Sequence, residues 1–297
     1  MNFIFNYYER QEFTVHRTTL LFCFIFSVLC VFSCAAQAQE TYFVTYSHQL
    51  EEPGNLEVES KLLGGSPKGG DGFVAHSLEL EYGVKGWWTS ELYLDGQSTY
   101  SQSTVFTGWR WENRFRPLLH EHWINPVIYA EFENINGADK TLLEVVGHDT
   151  REDFLGRNDR SERAREMELK LILSSNFKGW NASENLIFEK NLSNDPWEFG
   201  YAVGVSRPLA LAASARNCTL CRENFALGAE MYGGLGDRYT LGLHDTSHYV
   251  APVIAWAMPN GPTFKMSPSF GLNDNSHEFL MRFGVSYEFG QIFHRSR

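Results

Sequence analysis

Three short stretches of this chain carry residue types that could do chemistry. The run His244-Asp245-Thr246-Ser247-His248 holds a serine, a histidine and a carboxylate, the types of a nucleophile, its base and an orienting group. A catalytic pair needs hydrogen-bond contact, and neighbours in an extended chain point to opposite faces, so Ser247 and His248 are expected not to meet. His244 and His248 stand at i and i+4, a spacing that shares a metal on a helix but leaves about 13 Å between residues of a strand. His120-Glu121-His122 reads as adjacent exposed polar residues. Cys218-Thr219-Leu220-Cys221 is a C-x-x-C, which can be redox-active or half of a zinc site. With no second such pair and no close histidine, a local disulfide between Cys218 and Cys221 is the expectation. There is no G-x-S-x-G elbow and no phosphate-cradling glycine loop. The sequence therefore offers no catalytic residue, no metal site and no cofactor.

The more extensive chemistry is a set of charged residues spaced by two. Glu57 and Glu59, Glu79 and Glu81, Glu91 and Asp95, Glu131 and Glu133, and Glu166 and Glu168 each share the polar face of an alternating segment. Glu230 and Glu288 fall on such faces too, as do Lys61, Arg110, Arg114, Arg116, Lys170, Lys265 and Arg282. Such faces could line a selective channel with charged rings. They could equally form a salt-bridge web that fills a narrow lumen, since charges rarely sit unpaired in a low dielectric.

Both readings need strands to carry those faces. In 166–173, Met167, Leu169, Leu171 and Leu173 alternate with Glu166, Glu168 and Lys170. In 279–289, Phe279, Met281, Phe283, Val285, Tyr287 and Phe289 alternate with Arg282, Gly284, Ser286 and Glu288. Long, aromatic-ended apolar faces suit lipid outside and a polar lumen inside. Twelve such segments lie at about 55–63, 73–83, 87–97, 104–116, 124–134, 164–175, 180–190, 196–206, 223–234, 248–258, 262–272 and 278–289. Tight turns fall at even-to-odd junctions, at 84–86, 176–179 and 259–262, while the longest connection, 135–163, falls in the opposite set. That parity puts both barrel termini in the periplasm, and an even count is what a single-chain bacterial barrel requires. Three features strain the pattern: the long eighth-to-ninth link, 207–222, in which 209–213 could form a short helix; and Pro252 and Pro268, each expected to cost a ladder bond or mark a bulge.

Composition sets the compartment. Of 297 residues, 43% are hydrophobic and 15% aromatic, with 25 glycines, which suits a β-rich chain with many turns. A net charge of −11 argues against nucleic acid as a partner. Arg10, His16 and Arg17 precede an apolar run at 20–32 and then Ala36-Gln37-Ala38, a cleavable signal-peptide pattern over 1–38. A lipoprotein signal at Val31-Phe32-Ser33-Cys34 fits less well because of Phe32. Export leaves only Cys218 and Cys221, in an oxidising compartment. Past the signal no run of 18 apolar residues exists, so a membrane form must be a closed barrel. The expected organisation is a signal peptide at 1–38, a periplasmic or lumenal extension at 39–54, an antiparallel transmembrane β-barrel of about twelve strands at 55–289, and a tail at 290–297. Tyr42, Val44 and Tyr46 alternate like a strand, but a thirteenth membrane strand would break the parity.

The passages Leu78-Glu79-Leu80-Glu81-Tyr82-Gly83-Val84, Trp87-Trp88-Thr89-Ser90-Glu91-Leu92-Tyr93, Gly233-Gly234-Leu235-Gly236 and Asp245-Thr246-Ser247-His248-Tyr249-Val250-Ala251-Pro252 resemble an uncharacterised family of proteobacterial outer-membrane β-barrels. They are distantly similar to barrels assigned as transporters in phenol-degradation pathways of the MetA type. The resemblance implies fold and location, a bacterial outer membrane, and carries no catalytic residue. Phe283-x-Val285-x-Tyr287-x-Phe289 is similar to the aromatic signal read by barrel-assembly machinery, though eight residues follow it. The expected partners are the outer-membrane bilayer, that machinery and, for a channel, a small solute. The function classes are a channel or transporter, a plugged structural or interaction barrel, and an outer-membrane hydrolase. Closure should set the last strand beside the first, where Arg282 is expected to pair with Glu57 or Glu59.

Overall fold

The structure is a computed structural model that describes residues 40–67, 69–100, 102–137, 139–140, 146–151, 163–193, 195–212 and 218–292. The expected signal peptide, residue 39, most of the 137–162 connection and the end of the tail lie outside the described residues.

Twelve antiparallel strands form one closed barrel: β1 (Leu56–Gly65), β2 (Phe73–Lys85), β3 (Trp88–Thr99), β4 (Thr104–Phe115), β5 (Asn125–Asn136), β6 (Arg163–Phe177), β7 (Trp180–Asn191), β8 (Trp197–Pro208), β9 (Phe225–Asp237), β10 (His248–Ala257), β11 (Thr263–Gly271) and β12 (Phe279–Phe289). Each pairs with its sequence neighbours, and β12 closes on β1 from Leu56↔Phe289 to Gly65↔Leu280. Closure leaves no edge strand, which is the condition for a sheet to cross lipid. Among the described residues no helix is long and apolar enough to cross a membrane.

The period of two sorts the side chains as the sequence suggests. In β6, Glu168, Lys170, Ile172 and Ser174 are buried inward, while Leu171 is exposed outward. Leu92, Leu94, Trp111, Ile128, Phe188, Met231, Ile254, Phe279 and Phe283 are likewise exposed, on a surface meant for lipid. Aromatic contacts thicken that surface near the terminus-bearing end, with Trp88 against Phe115 and Trp256 stacked between Phe225 and Phe264. The tightest turns there are Gly86-Trp87 and Lys178-Gly179; Lys178 adopts φ 50° and Gly179 φ 81°, the left-handed pair of a two-residue hairpin.

The long link from β8 to β9 contains a 3-10 turn at Arg222–Asn224 and the disulfide Cys218–Cys221, whose Cα atoms are 5.4 Å apart. Residues 209–212 are not helical, and 213 lies outside the described residues.

Pro252 and Pro268 resolve each other. Both lie on the same rung between β10 and β11, where pairing stops after Val250↔Phe270 and resumes in unchanged register at Ile254↔Met266. Leu272 N–H donates to the His248 carbonyl at 2.8 Å, and Met258 N–H to that of Pro262 at 3.1 Å. Even-numbered β10 residues therefore occupy the hydrogen-bonded rungs. Two prolines facing each other there remove two mutual bonds at one place, with no bulge, and both keep their pairing on the far side, Pro252 with Ala229 and Pro268 with Met281. Both carbonyls of that rung lose their ladder donors in a wall facing lipid, a cost of about several kcal/mol per group. Pro252→Ala with Pro268→Ala is therefore expected to stabilise the barrel by roughly 1 kcal/mol or more, even after loss of proline's stiffening of the unfolded chain, about 0.4–1 kcal/mol each. The midpoint for loss of heat-modifiable gel migration measures this; an unchanged or lower midpoint would refute it.

Candidate functional site

The lumen is not empty. Residues 40–54 enter from the terminus-bearing end, fold back and fill its middle as a strap. Their spacing looked strand-like, but the segment forms no ladder; its backbone is held by side chains from the wall. Glu230 of β9 accepts three backbone N–H bonds, from Phe43 at 2.9 Å, Val44 at 2.8 Å and Thr45 at 2.6 Å. Asn185 of β7 accepts from Tyr46 N–H at 2.7 Å and donates to the Tyr46 carbonyl at 2.9 Å. Tyr42 donates to Asn181 Oδ1 at 2.9 Å, and His48 is hydrogen-bonded to Ser174 at 2.8 Å and to Glu121 at 3.0 Å. The wall makes room at Gly204, where a Cβ would come within 2.7 Å of the Tyr42 ring. At the strap's base, Gly54 N–H donates to the Gly83 carbonyl at 2.7 Å. Burial pushes the Glu40 carboxyl up, against the opposing pull of Arg114. Burial, with Glu288 nearby, carries Glu51 up to about 7.

Register reveals what the alternation alone does not. Directly opposed pairs run Glu288↔Glu57, Glu57↔Glu81, Glu81↔Glu91, Glu91↔Glu112, Glu112↔Glu131, Glu131↔Glu168, Glu168↔Glu189, Glu189↔Glu198 and Glu198↔Asp237. Ten carboxylates thus stand one per strand across ten strands. Because barrel strands tilt, a line across them climbs as a spiral. It starts at the terminus-bearing end, where β1 begins and β12 ends, and finishes at the opposite rim, where β8 begins and β9 ends.

Like charges directly opposed are destabilising, so the flanking rows must answer them. Arg114 reaches Glu81 at 2.6 Å, Glu91 at 2.5 Å and Glu112 at 3.1 Å. Arg110 reaches Glu131 at 3.2 Å and Asp95 at 2.9 Å, and Lys170 reaches Glu168 at 3.0 Å. Lys61 pairs with Glu79 and Lys265 with Glu59 at 2.9 Å. Tyrosines donate as well: Tyr93 to Glu91 at 2.7 Å and to Glu112 at 3.0 Å, and Tyr129 to Glu131 at 2.5 Å. A small cavity of about 70 Å³ remains between strap and wall, lined by Glu40, Glu57, Glu59, Glu79, Glu81 and Glu91 with Lys61, Arg114 and Lys265. Glu79, Glu81 and Glu91 come within 4.8 Å of one another, but Lys61 and Arg114 already compensate them.

Every lumen-lining residue anticipated on the wall points inward: Glu57, Glu59, Glu79, Glu91, Arg110, Arg114, Glu131, Glu168, Lys170, Glu230 and Arg282 are buried, and Glu81 is nearly so. One pairing does not form. Arg282 stands opposite Leu63 across the seam, not opposite Glu57 or Glu59. Glu57 opposes Glu288, and Glu59 is bonded by Lys265 and Lys61. The face was right and the height wrong, by four to six residues, or about 13–20 Å along a strand. Arg116 lies past the end of β4 and meets Glu121 at 3.4 Å. Glu112 was overlooked although it sits two residues from both Arg110 and Arg114, so the same alternation could have found it. Ser247 bonds the carbonyls of Asp149 and Asn275, while His248 bonds Thr246 and Tyr201, so the two do not touch. His244 is exposed beside Asp245, apart from the buried His248.

No protein-family model matches the chain, and no curated protein matches it. Solved structures similar to it include the KdgM porin, with 7% identity, 78% of this chain and 99% of that chain covered, and TM-score 0.50. The COG4313 outer membrane channel from Pseudomonas putida F1 is similar at 11% identity, with 82% and 98% covered and TM-score 0.52. At these identities the likeness is one of fold: the chain is a twelve-stranded barrel of the outer-membrane class.

Proposed function

We propose that this barrel is an outer-membrane channel for small solutes, closed at rest by the strap of residues 40–54 and favouring cationic over anionic cargo. The observation that carries the reading is the carboxylate spiral from rim to rim. Where it passes the strap, arginine, lysine and tyrosine compensate it; toward the far rim, Glu133, Glu166 and Glu189 crowd together with Asn191 bonding Glu166 at 2.9 Å. A ring of like charge at a mouth concentrates the opposite ion and repels its own sign. The folds of the KdgM porin and the COG4313 channel support a channel reading, and the sequence likeness to barrels of phenol-degradation pathways is part of the same proposal without naming a solute. The bilayer and the assembly machinery are its proposed partners. His48 does link Ser174 to Glu121, but Ser174 and His48 are buried and the Ser174 hydroxyl also accepts from Asn181 at 3.1 Å and Ser183 at 2.8 Å, which makes it a structural knot and the reading that of a non-enzyme.

The strap's bonds also favour a second reading, a permanently plugged barrel. Planar-bilayer recording separates the two. Deleting residues 40–50 is expected to raise single-channel conductance several-fold over the full mature chain. The reversal potential in a potassium chloride gradient is expected to show cation preference, weakened by Glu189→Gln with Glu198→Gln. Silence from both the full and the strap-deleted protein would overturn the channel reading; anion preference would overturn the role given to the spiral.

A further inference from the structure

Among the described lumenal cations of the strands, Arg282 is the exception. Lys61, Arg110, Arg114, Lys170 and Lys265 each have a carboxylate within bonding distance. Arg282 is 95% buried, at 5% relative exposure, and no carboxylate among the described residues pairs with it. One guanidinium nitrogen, Nη1, makes a long contact of 3.5 Å to Ser269 Oγ; the other, Nη2, makes no hydrogen bond. Its charge lies 4.9 Å from the centre of the Tyr232 ring, which stacks on Tyr249 at 5.4 Å. Ser267 stands directly opposite on β11 with its buried hydroxyl without a hydrogen bond, and the buried Tyr232 hydroxyl lies within reach of Arg282 and Ser269.

Guanidinium can only donate, and hydroxyls can turn to donate. Around Arg282 the structure gathers donors and a full positive charge, and among the described residues no carboxylate pairs with it. A buried charge is tolerated only when compensated, and an aromatic face offsets a fraction of it. Much of the surroundings is apolar: Leu63, Leu280, Tyr232 and Tyr249 belong to the buried core, and the cavity beside the strap does not reach Arg282. That geometry fits a compact ion better than the carboxylate of a bulky solute. Guanidinium is weakly hydrated, so its natural companion in a dry site is a small, weakly hydrated anion.

We propose that Arg282, with the hydroxyls of Ser267, Ser269 and Tyr232, holds a small monovalent anion of the halide class inside the barrel wall. The ion would complete the ion pairing of the β11–β12 side, which the carboxylate spiral bypasses, and would cancel a cation that otherwise repels cationic cargo.

The test is the thermal midpoint of heat-modifiable migration for the folded mature chain in detergent, in sodium chloride against sodium gluconate at equal ionic strength. Anything bound only by the folded state raises its stability with ligand concentration and saturates only logarithmically. The expected result is a higher midpoint in chloride, reproduced by bromide. Arg282→Met should abolish the difference and, in gluconate, be at least as stable as the parent; Ser267→Ala should move the chloride response to higher concentration. Equal midpoints for the parent protein in chloride and gluconate would overturn the proposal, as would a chloride response that survives Arg282→Met. Should that variant fail to fold, crystals of the parent grown in bromide decide: anomalous density beside Arg282 supports the site, and none there overturns it.

Discussion

Glu230→Ala is expected to release the strap while leaving the barrel standing. One carboxylate accepts the N–H groups of three consecutive residues, Phe43, Val44 and Thr45, at the point where the strap turns back on itself. A carboxylate caught by successive backbone amides is an anion nest, and each bond to a charged acceptor is worth about 1.5–3 kcal/mol. Removing the acceptor would leave three buried donors unpaired, and the strap can satisfy them only by moving into water. A loss of roughly 4 kcal/mol or more corresponds to about a thousandfold change in the ratio of docked to released strap. The twelve ladders are untouched, so the midpoint for heat-modifiable migration should fall far less than that. Chymotrypsin reads the outcome, because Tyr42, Phe43 and Tyr46 are sites it favours and the strap lacks lysine and arginine. Rapid cleavage in Glu230→Ala, slow cleavage in the parent and an intermediate rate in Glu230→Gln are the expected series. Cleavage at the parental rate in Glu230→Ala would mean that Asn185, His48 and the Gly204 seat hold the strap without it.

The strands, their number and their inward faces were legible because the alternation repeats a physical fact: successive residues of a strand point opposite ways. Turn parity then fixed closure, since Gly86-Trp87 and Lys178-Gly179 leave no room for another element. What alternation cannot carry is height. Arg282 and Glu59 share a lumen and the adjacent strands β12 and β1, yet register places Arg282 beside Leu63 and hands Glu59 to Lys265 from β11. The spiral has the same cause. Glu57, Glu81, Glu91, Glu131 and Glu168 read as lumenal one strand at a time, but that they form one line, joined by Glu112, Glu189 and Glu198, is a property of nine registers taken together. The extension at 39–54 was legible as periplasmic or lumenal, but its path was not, for another reason. Tyr42, Val44 and Tyr46 have the spacing of a strand, but Glu230 and Asn185 take the backbone groups a neighbouring strand would have used. A side chain that mimics a ladder leaves no mark in the sequence of the segment it holds.

Arg114 should be the residue the barrel can least spare. Its guanidinium is buried and bonds Glu81, Glu91 and Glu112, three consecutive steps of the spiral. It also reaches the strap, contacting the Gln49 carbonyl at 3.4 Å and lying 5.2 Å from the Tyr46 ring. Arg114→Met would strand three like charges on adjacent strands, and breaking a buried pair by removing one partner costs about 3–5 kcal/mol. Domain stability is only about 5–15 kcal/mol in total, so failure to assemble, or a midpoint lowered by many degrees, is the expected result. Arg114→Lys keeps the charge but not the planar fork and should fall between. The decisive variant is Arg114→Met combined with Glu81→Gln and Glu91→Gln. If the loss is electrostatic, removing the stranded charges should recover most of the lost stability, and the effects should be strongly non-additive. Additivity would mean that Arg114 acts by filling space. The contrast with Arg282 sharpens the test, because the two arginines face one lumen with opposite surroundings. Truncating the one that neutralises three carboxylates should be severe in any salt, whereas truncating the one that has none should be harmless wherever its anion is withheld.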